Sequence, residues 1–200
     1  RNYTTNPDNP IVGEVWYNET DNVLKFQYPN VTSAGSWKTG NDLNSLREYG
    51  TGTGVDNTAV LIWAGFPNSA LTEQYDGVSW TEVNDLNTAR RYPGAAGTYT
   101  AALGFGGGAP ITGKTEKWNG TNWTEDTDLN TARNELAGAG ETNTEALAFG
   151  GVEPSVSDKT ESWNGTNWTE VNDLGTARYI LSGAGTYTSA LAFGGIAPGA

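Results

Sequence analysis

The side chains that could carry chemistry in this sequence are carboxylates, arginines, asparagines and tryptophans, because its 200 residues include no histidine and no cysteine. Histidine and cysteine are the residues that most often activate a nucleophile or ligate a transition metal near neutral pH. Their absence excludes a Ser-His-Asp triad, a thiolate nucleophile and a histidine- or cysteine-based metal site. We therefore expect no catalytic residue, no cofactor and no metal ion, and only carboxylate chemistry, as in a glycosidase, stays open.

Tryptophan and asparagine recur together in a motif that could bind a sugar. The hexapeptide WNGTNW begins at Trp118 and again at Trp163. An indole face can stack on the apolar side of a pyranose, so the candidate ligand-binding residues are Trp118, Asn119, Trp163 and Asn164. The alternative, which we favour, is that these tryptophans pack inside the fold and that the asparagines form turns.

Four arginines occupy equivalent places along the chain, at Arg47, Arg90, Arg133 and Arg178. They could line a channel and grip an anionic ligand. We favour a structural role instead, because a buried guanidinium has five N–H donors to satisfy and pairs well with backbone carbonyls or a carboxylate. The carboxylates that recur in the right phase, two residues after a tryptophan, are Glu82, Glu125 and Glu170.

A repeat must position these side chains. The second tryptophan of the motif recurs as Trp37, Trp80, Trp123 and Trp168, in steps of 43, 43 and 45 residues. An Asp-Leu pair, the arginine and a closing apolar-glycine segment keep the same phase. Asn-Gly between β-prone segments indicates a tight hairpin, because both central residues of a type I′ turn need positive φ. Each repeat therefore reads as four short strands, and we expect few helices.

Four strands at this period are typical of a β-propeller blade. The double glycine 150–151, the Trp163-Asn164 pair, Trp168 and Arg178 follow one another as in the kelch family, which the chain resembles from about residue 37 to 195. The resemblance implies an all-β, kelch-like β-propeller of 43- to 45-residue blades. The segment 1–22 is expected to be a separate N-terminal hairpin or linker, and 23–200 the propeller.

The blade boundaries leave two arrangements open. The predicted blades are 47–85, 90–128, 133–173 and a half blade at 178–200. In the first arrangement, residues 23–42 complete the half blade, with 23–28 as its third strand and 36–38 as its fourth, which closes a ring of four blades. In the second, the chain is one arc of a longer array.

The charge of the chain bears on its partners. A formal net charge of −12 disfavours nucleic acid and anionic membrane surfaces, both of which attract clusters of Lys and Arg. No apolar run reaches the roughly 20 residues that a spanning helix needs. We therefore expect neither nucleic-acid binding nor membrane insertion.

A second resemblance concerns the N-terminal segment. It has the pattern P-x-x-G-E-x-W-Y-N-x-T-x-x-x-L-K, formed here by Pro10, Gly13, Glu14, Trp16, Tyr17, Asn18, Thr20, Leu24 and Lys25. This pattern resembles a small module of tailed-phage structural proteins, and the Thr/Asn/Gly-rich repeats resemble those of marine phage virion proteins.

These resemblances imply a function outside catalysis. We expect a non-enzymatic virion structural or attachment protein, a tail fibre or capsid decoration on the virion surface. Its partners would be other virion proteins or copies of itself, and a host surface glycan. The alternative is a free, extracellular carbohydrate-binding lectin or adhesion module.

Overall fold

A computed structural model describes residues 2–3, 15–26 and 39–199. The regular elements in these ranges are all strands, which confirms the predicted all-β class. No helix in these ranges is long and apolar enough to cross a membrane. The chain forms two compact units, Arg1–Thr39 and Gly40–Ala200.

The first unit contains a three-stranded sheet. Strand β1 (Asn2–Tyr3) runs parallel to β2 (Val15–Asn18), and β2 pairs antiparallel with β3 (Val23–Phe26). The Oδ1 atom of Asn18 accepts the backbone N–H groups of Thr20 and Asp21 at 3.0 and 2.9 Å, which closes the turn between β2 and β3. Strands β2 and β3 thus form a hairpin over residues 15–26, and the predicted division of the chain after residue 22 stays a prediction.

The second unit contains three antiparallel four-stranded sheets, each with its strands in chain order from one edge to the other. Sheet A comprises β4 (Thr51–Asp56), β5 (Ala59–Trp63), β6 (Thr72–Tyr75) and β7 (Trp80–Val83). Sheet B comprises β8 (Gly94–Gly97), β9 (Ala102–Phe105), β10 (Thr115–Trp118) and β11 (Trp123–Asp126). Sheet C comprises β12 (Ala137–Thr142), β13 (Glu145–Phe149), β16 (Thr160–Trp163) and β17 (Trp168–Val171), with the short hairpin β14 (Val152–Glu153) and β15 (Ser155–Val156) between β13 and β16. The prediction of four strands in each repeat is confirmed for these three.

The fourth repeat contributes two strands, β18 (Tyr179–Thr186) and β19 (Ser189–Ile196), which pair only with each other in the described part of the chain. These strands correspond to the first and second strands of sheets A to C. The predicted fourth strand at 36–38, with Trp37, lies outside the described residues. Completion of this sheet by 23–42 therefore stays a prediction, as does a closed ring.

The apolar core lies between successive sheets. One cluster joins sheets A and B through Trp63 and Trp123, and a second joins sheets B and C through Phe105 and Trp168. A smaller third cluster joins sheet C to the β18–β19 pair and includes Phe149. Burial of one large aromatic side chain removes about 150–250 Å² from water, so the tryptophans supply much of the adhesion between sheets.

Candidate binding surface

Trp118 and Trp163, two of the predicted ligand-binding residues, lie in the interior. Trp118 is 1% exposed and Trp163 is 0% exposed. Each indole N–H is donated to a backbone carbonyl, that of Tyr99 at 3.1 Å for Trp118 and that of Asn143 at 3.0 Å for Trp163. Sugar stacking on these two rings stays a prediction, and it would require the covering turns to move away.

The second tryptophan of each motif holds neighbouring sheets together. Trp123 meets Trp63 of sheet A edge to face with ring centroids 5.0 Å apart, and Trp168 meets Phe105 of sheet B at the same distance. The indole N–H of Trp168 is also donated to the Oγ1 atom of Thr115 at 3.0 Å. This is the structural role that we favoured for the repeated tryptophans.

Asn119 and Asn164 shape the tight turns between the third and fourth strands. The Oδ1 atom of Asn119 accepts the backbone N–H groups of Thr121 and Asn122, both at 2.9 Å. Asn164 makes the equivalent bonds to Thr166 and Asn167. The side-chain oxygens are therefore engaged within the turns, and ligand binding by either asparagine remains a prediction.

The repeated arginines require a correction to the sequence analysis. Arg133 pairs with Glu161 at 3.0 Å and Arg90 pairs with Glu116 at 2.7 Å, and all four side chains are buried. Arg47 pairs with Glu73 in the same way. The predicted partners Glu82, Glu125 and Glu170 were wrong for these arginines, although each lies directly across the strand pair from the true partner.

Burial shifts the pKa values of two of these arginines. Desolvation lowers the pKa of Arg90 and of Arg133, and the charges of Glu116 and Glu161 act in the opposite direction. The same glutamates accept backbone N–H groups from the preceding linker, as Glu161 does from Asn130 at 2.7 Å. Arg47, Arg90 and Arg133 thus fasten the linker before each of sheets A to C to that sheet, which leaves these three side chains inaccessible to an anionic ligand.

One position in the repeat, two residues after the arginine, has an unusual backbone. Its four occupants have positive φ values of 58°, 55°, 57° and 52°: Tyr49, Tyr92, Glu135 and Ile180. Their backbones form a ladder between repeats, because the N–H group of Tyr92 is donated to the carbonyl of Tyr49, and the series continues from Glu135 to Tyr92 and from Ile180 to Glu135. The left-handed conformation is costly for residues other than glycine. The ladder hydrogen bonds hold the backbone in this conformation in all four repeats, although the side chain differs.

Beside this ladder lies a cavity of about 260 Å³ that all four repeats line. The first strands lie side by side in the order β4, β8, β12, β18, and each contributes residues to the wall. The walls are built largely from small residues, such as Gly52, Ala95, Gly138 and Gly183, so backbone groups face the space. Pro93 also lines the cavity and directly follows Tyr92, which places the ladder next to it.

An exposed aromatic cluster includes the two tyrosines of the ladder. Its members are Tyr49, Phe66, Arg91 and Tyr92. The rings of Tyr49 and Tyr92 stack with centroids 4.4 Å apart, and the guanidinium carbon of Arg91 lies 5.5 Å from the centre of the Phe66 ring. Tyr49 is 49% exposed and Phe66 is 48% exposed. Partial desolvation, followed by a hydrogen bond with Tyr49, raises the pKa of Tyr92 above its ordinary value.

The aromatic cluster has the chemistry of a recognition surface. The exposed parts of the rings can pack against a flat apolar group, the phenol hydroxyls can donate and accept hydrogen bonds, and the guanidinium adds five donors. Within the described residues, no group of three or more histidine, cysteine, aspartate or glutamate side chains could hold a metal ion.

Comparison with known proteins adds no assignment. No family model matches the chain, and no curated protein matches it.

Recurring side chains do not reveal the aromatic cluster, because its tyrosines occupy a position that varies between repeats. The position two residues after the repeated arginine is tyrosine in the first two repeats, and it is Glu135 and Ile180 in the next two. A position that varies inside an otherwise regular repeat indicates a surface whose side chains the fold does not dictate. That variation was readable in the sequence once the four arginines were aligned.

Proposed function

We propose that this protein is a non-enzymatic attachment protein of a virion and that the aromatic cluster binds a host surface glycan. The observation that carries the proposal is the exposed stack of Tyr49 and Tyr92 beside the cavity, with Arg91 and Phe66 next to it. Aromatic faces and a guanidinium are the groups that recognise a sugar ring and its hydroxyls. The net charge of −12 suits a soluble surface protein better than a nucleic-acid-binding one.

The virion part of the proposal rests on two resemblances in sequence. The N-terminal hairpin segment resembles a module of tailed-phage structural proteins, and the repeats resemble kelch-like repeats of marine phage virion proteins. In this proposal, the second unit is a kelch-like β-propeller that presents the cluster to the host. A free lectin would use the same cluster without a particle.

Glycan binding is tested with single substitutions in the cluster. A glycan array probed with the full chain should give hits that Tyr49→Ala weakens about 10-fold or more, because truncating a central aromatic side chain of an interface costs about 1–2 kcal/mol or more. The matched control is Tyr187→Ala, which removes an exposed tyrosine from the turn between β18 and β19. An array without hits, or equal losses in both variants, would refute the cluster as the site.

Mass spectrometry of purified virus particles separates the two settings. Detection of this chain in particles at a fixed copy ratio to other structural proteins supports the attachment protein. Its absence from particles, together with glycan binding by the free chain, would replace that proposal with the lectin.

A further inference from the structure

The outer edge of β19 is unlike the same edge in the other repeats. Strands β5, β9 and β13 each pair with a third strand, whereas β19 pairs only with β18 in the described part of the chain. The sequence of β19, SALAFGGI, contains no charged residue and no proline that would discourage further pairing. An unpaired, uncharged edge is a template for another strand.

The apolar side chains of β19 are exposed where their equivalents are covered. Leu191 is 64% exposed and Phe193 is 46% exposed, whereas Leu103 and Phe105 at the same places in sheet B are both 0% exposed. In sheet B these two positions face sheet C, and they share a buried cluster with Trp163 and Trp168. The β18–β19 pair therefore displays a surface of the kind that the other repeats bury.

Arg178 is the second sign that a partner strand belongs here. Its counterpart Arg133 pairs with a glutamate on the third strand of its sheet. Arg178 instead donates to the backbone carbonyls of Gly194 and Thr176, at 2.9 and 3.4 Å, and has no carboxylate partner among the described residues. A glutamate on a strand added beside β19 would stand where Glu161 stands relative to Arg133.

Thr160 is the third sign. The hydroxyls of Thr72 and Thr115 each accept an indole N–H at 3.0 Å, from Trp123 and Trp168 respectively, which reach across from the next sheet. Thr160 holds the same place in sheet C, and its hydroxyl accepts no such bond within the described ranges. The donor that fits is a tryptophan at the start of a fourth strand beside β18 and β19.

We propose that this edge, defined by β19, Arg178 and Thr160, binds a two-stranded antiparallel hairpin from a partner protein that carries the repeat's own pattern. The first strand of the hairpin pairs with β19 and places a glutamate against Arg178. The second strand begins with a tryptophan that donates to Thr160 and packs on Phe149. This interaction concerns assembly and is independent of glycan binding at the aromatic cluster.

Charge complementarity with Arg178 favours such a hairpin, rather than residues 23–38 of the chain itself, as the segment that pairs with β19. In the repeats, the third strand reads T-E-x-W or T-E-x-Y, as in Thr160-Glu161-Ser162-Trp163. The matching stretch of the N-terminal segment reads K-F-Q-Y, which puts Phe26 where Arg178 needs a carboxylate.

A cyclic peptide with the sequence TESWNGTNWTEV, closed by a D-Pro-Gly turn, provides the probe. The cyclisation preforms the hairpin and reduces the entropy lost on binding. The second tryptophan is replaced by 5-fluorotryptophan, so that fluorine NMR follows the indole while calorimetry measures affinity for the full chain. The expected result is saturable binding with a shifted fluorotryptophan resonance.

Matched changes on both partners test each contact. The peptide with glutamine in place of its first glutamate, and the protein variant Arg178→Met, should each bind about 10-fold more weakly or worse, because a hydrogen bond to a charged group contributes about 1.5–3 kcal/mol. Thr160→Val should move the resonance of the bound fluorotryptophan. Arg91→Met, which changes an arginine of the aromatic cluster, should leave the affinity unchanged.

Two outcomes would overturn the proposal. One is the absence of peptide binding to the wild-type chain. If the peptide then binds only to the variant Trp37→Ala, the chain's own N-terminal segment covers the edge. The other is equal binding of the glutamate and glutamine peptides, which would remove Arg178 from the recognition. Glycan binding measured on the same variants keeps a failure here distinct from a failure of the proposed function.

Discussion

At the scale of single residues, Arg133 combines a large desolvation cost with a large compensating attraction. Its side chain and that of Glu161 are both fully buried, and the two pair at 3.0 Å. The Oε2 atom of Glu161 also accepts two hydrogen bonds from Asn130, and its Oε1 atom faces Arg133, so both oxygens are engaged. In such a pair the loss of one partner is more harmful than the loss of both, because the remaining charge stays buried.

Arg133→Met should therefore lower the free energy of unfolding by about 3–5 kcal/mol, the usual result of breaking a buried ion pair. The matched control is Arg178→Met, which removes a half-buried arginine that has no carboxylate partner among the described residues, and it should cost about 1 kcal/mol or less. Urea denaturation of both variants measures the difference. Arg133→Met combined with Glu161→Leu should recover part of the loss, and equal losses in the two single variants would contradict a structural role.

At the scale of elements, the turns between third and fourth strands show that one turn geometry can be formed with either of two residue types at its first position. Asp76 in sheet A accepts the N–H groups of Val78 and Ser79 at 2.9 and 2.8 Å, as Asn119 does for Thr121 and Asn122 in sheet B. The glycine that follows Asp76 has a φ of 92°, which the turn requires. Aspartate and asparagine are thus interchangeable here except for charge.

That difference predicts a pH effect. The backbone N–H groups of Ser79 and then Val78 lower the pKa of Asp76 below its ordinary value of 3.8. A lowered pKa adds stability that is complete above the ordinary value and is lost as the pH falls through the folded value. Asp76→Asn should keep the turn and lose this contribution, so the difference in unfolding free energy between wild type and variant should shrink as the pH falls from about 5 to about 2.

The test is a series of urea titrations of wild type and Asp76→Asn across that range. Because Asp76 is fully exposed, the effect is small, and the comparison must use differences between proteins rather than absolute stabilities. Parallel curves for wild type and Asp76→Asn at all pH values would show that the hydrogen bonds do not favour the charged form.

The elements also show where prediction from sequence succeeded and failed. Strands and turns were predictable, because Asn-Gly turns and the spacing of tryptophans have local causes. The arginine partners were not, because Glu161 and Glu170 lie directly opposite each other and recur with the same period. Only burial distinguishes them, since Glu161 is fully buried whereas Glu170 is exposed, and burial depends on the neighbouring sheet.

At the scale of the whole second unit, stability comes from junctions between neighbouring repeats. Repeats that contact only their neighbours have stabilities that sum over such junctions. The A–B and B–C junctions each contain an interlocked tryptophan, whereas the junction from sheet C to β18 and β19 relies on Phe149, Leu181 and alanines. The last junction should be the weakest.

Hydrogen exchange followed by mass spectrometry resolves this difference, because local opening free energies are smallest where few apolar contacts are buried. Amides of β19 should be protected about 10-fold less than those of β13, a gap of about 1.4 kcal/mol in opening free energy. Strands β13 and β19 form a matched pair, since both are second strands with the motif A-L-A-F.

Equal protection would mean that the second unit opens as one cooperative body or that another segment already covers β19. Addition of the cyclic hairpin peptide separates these two explanations, because only an uncovered edge would gain protection with the peptide.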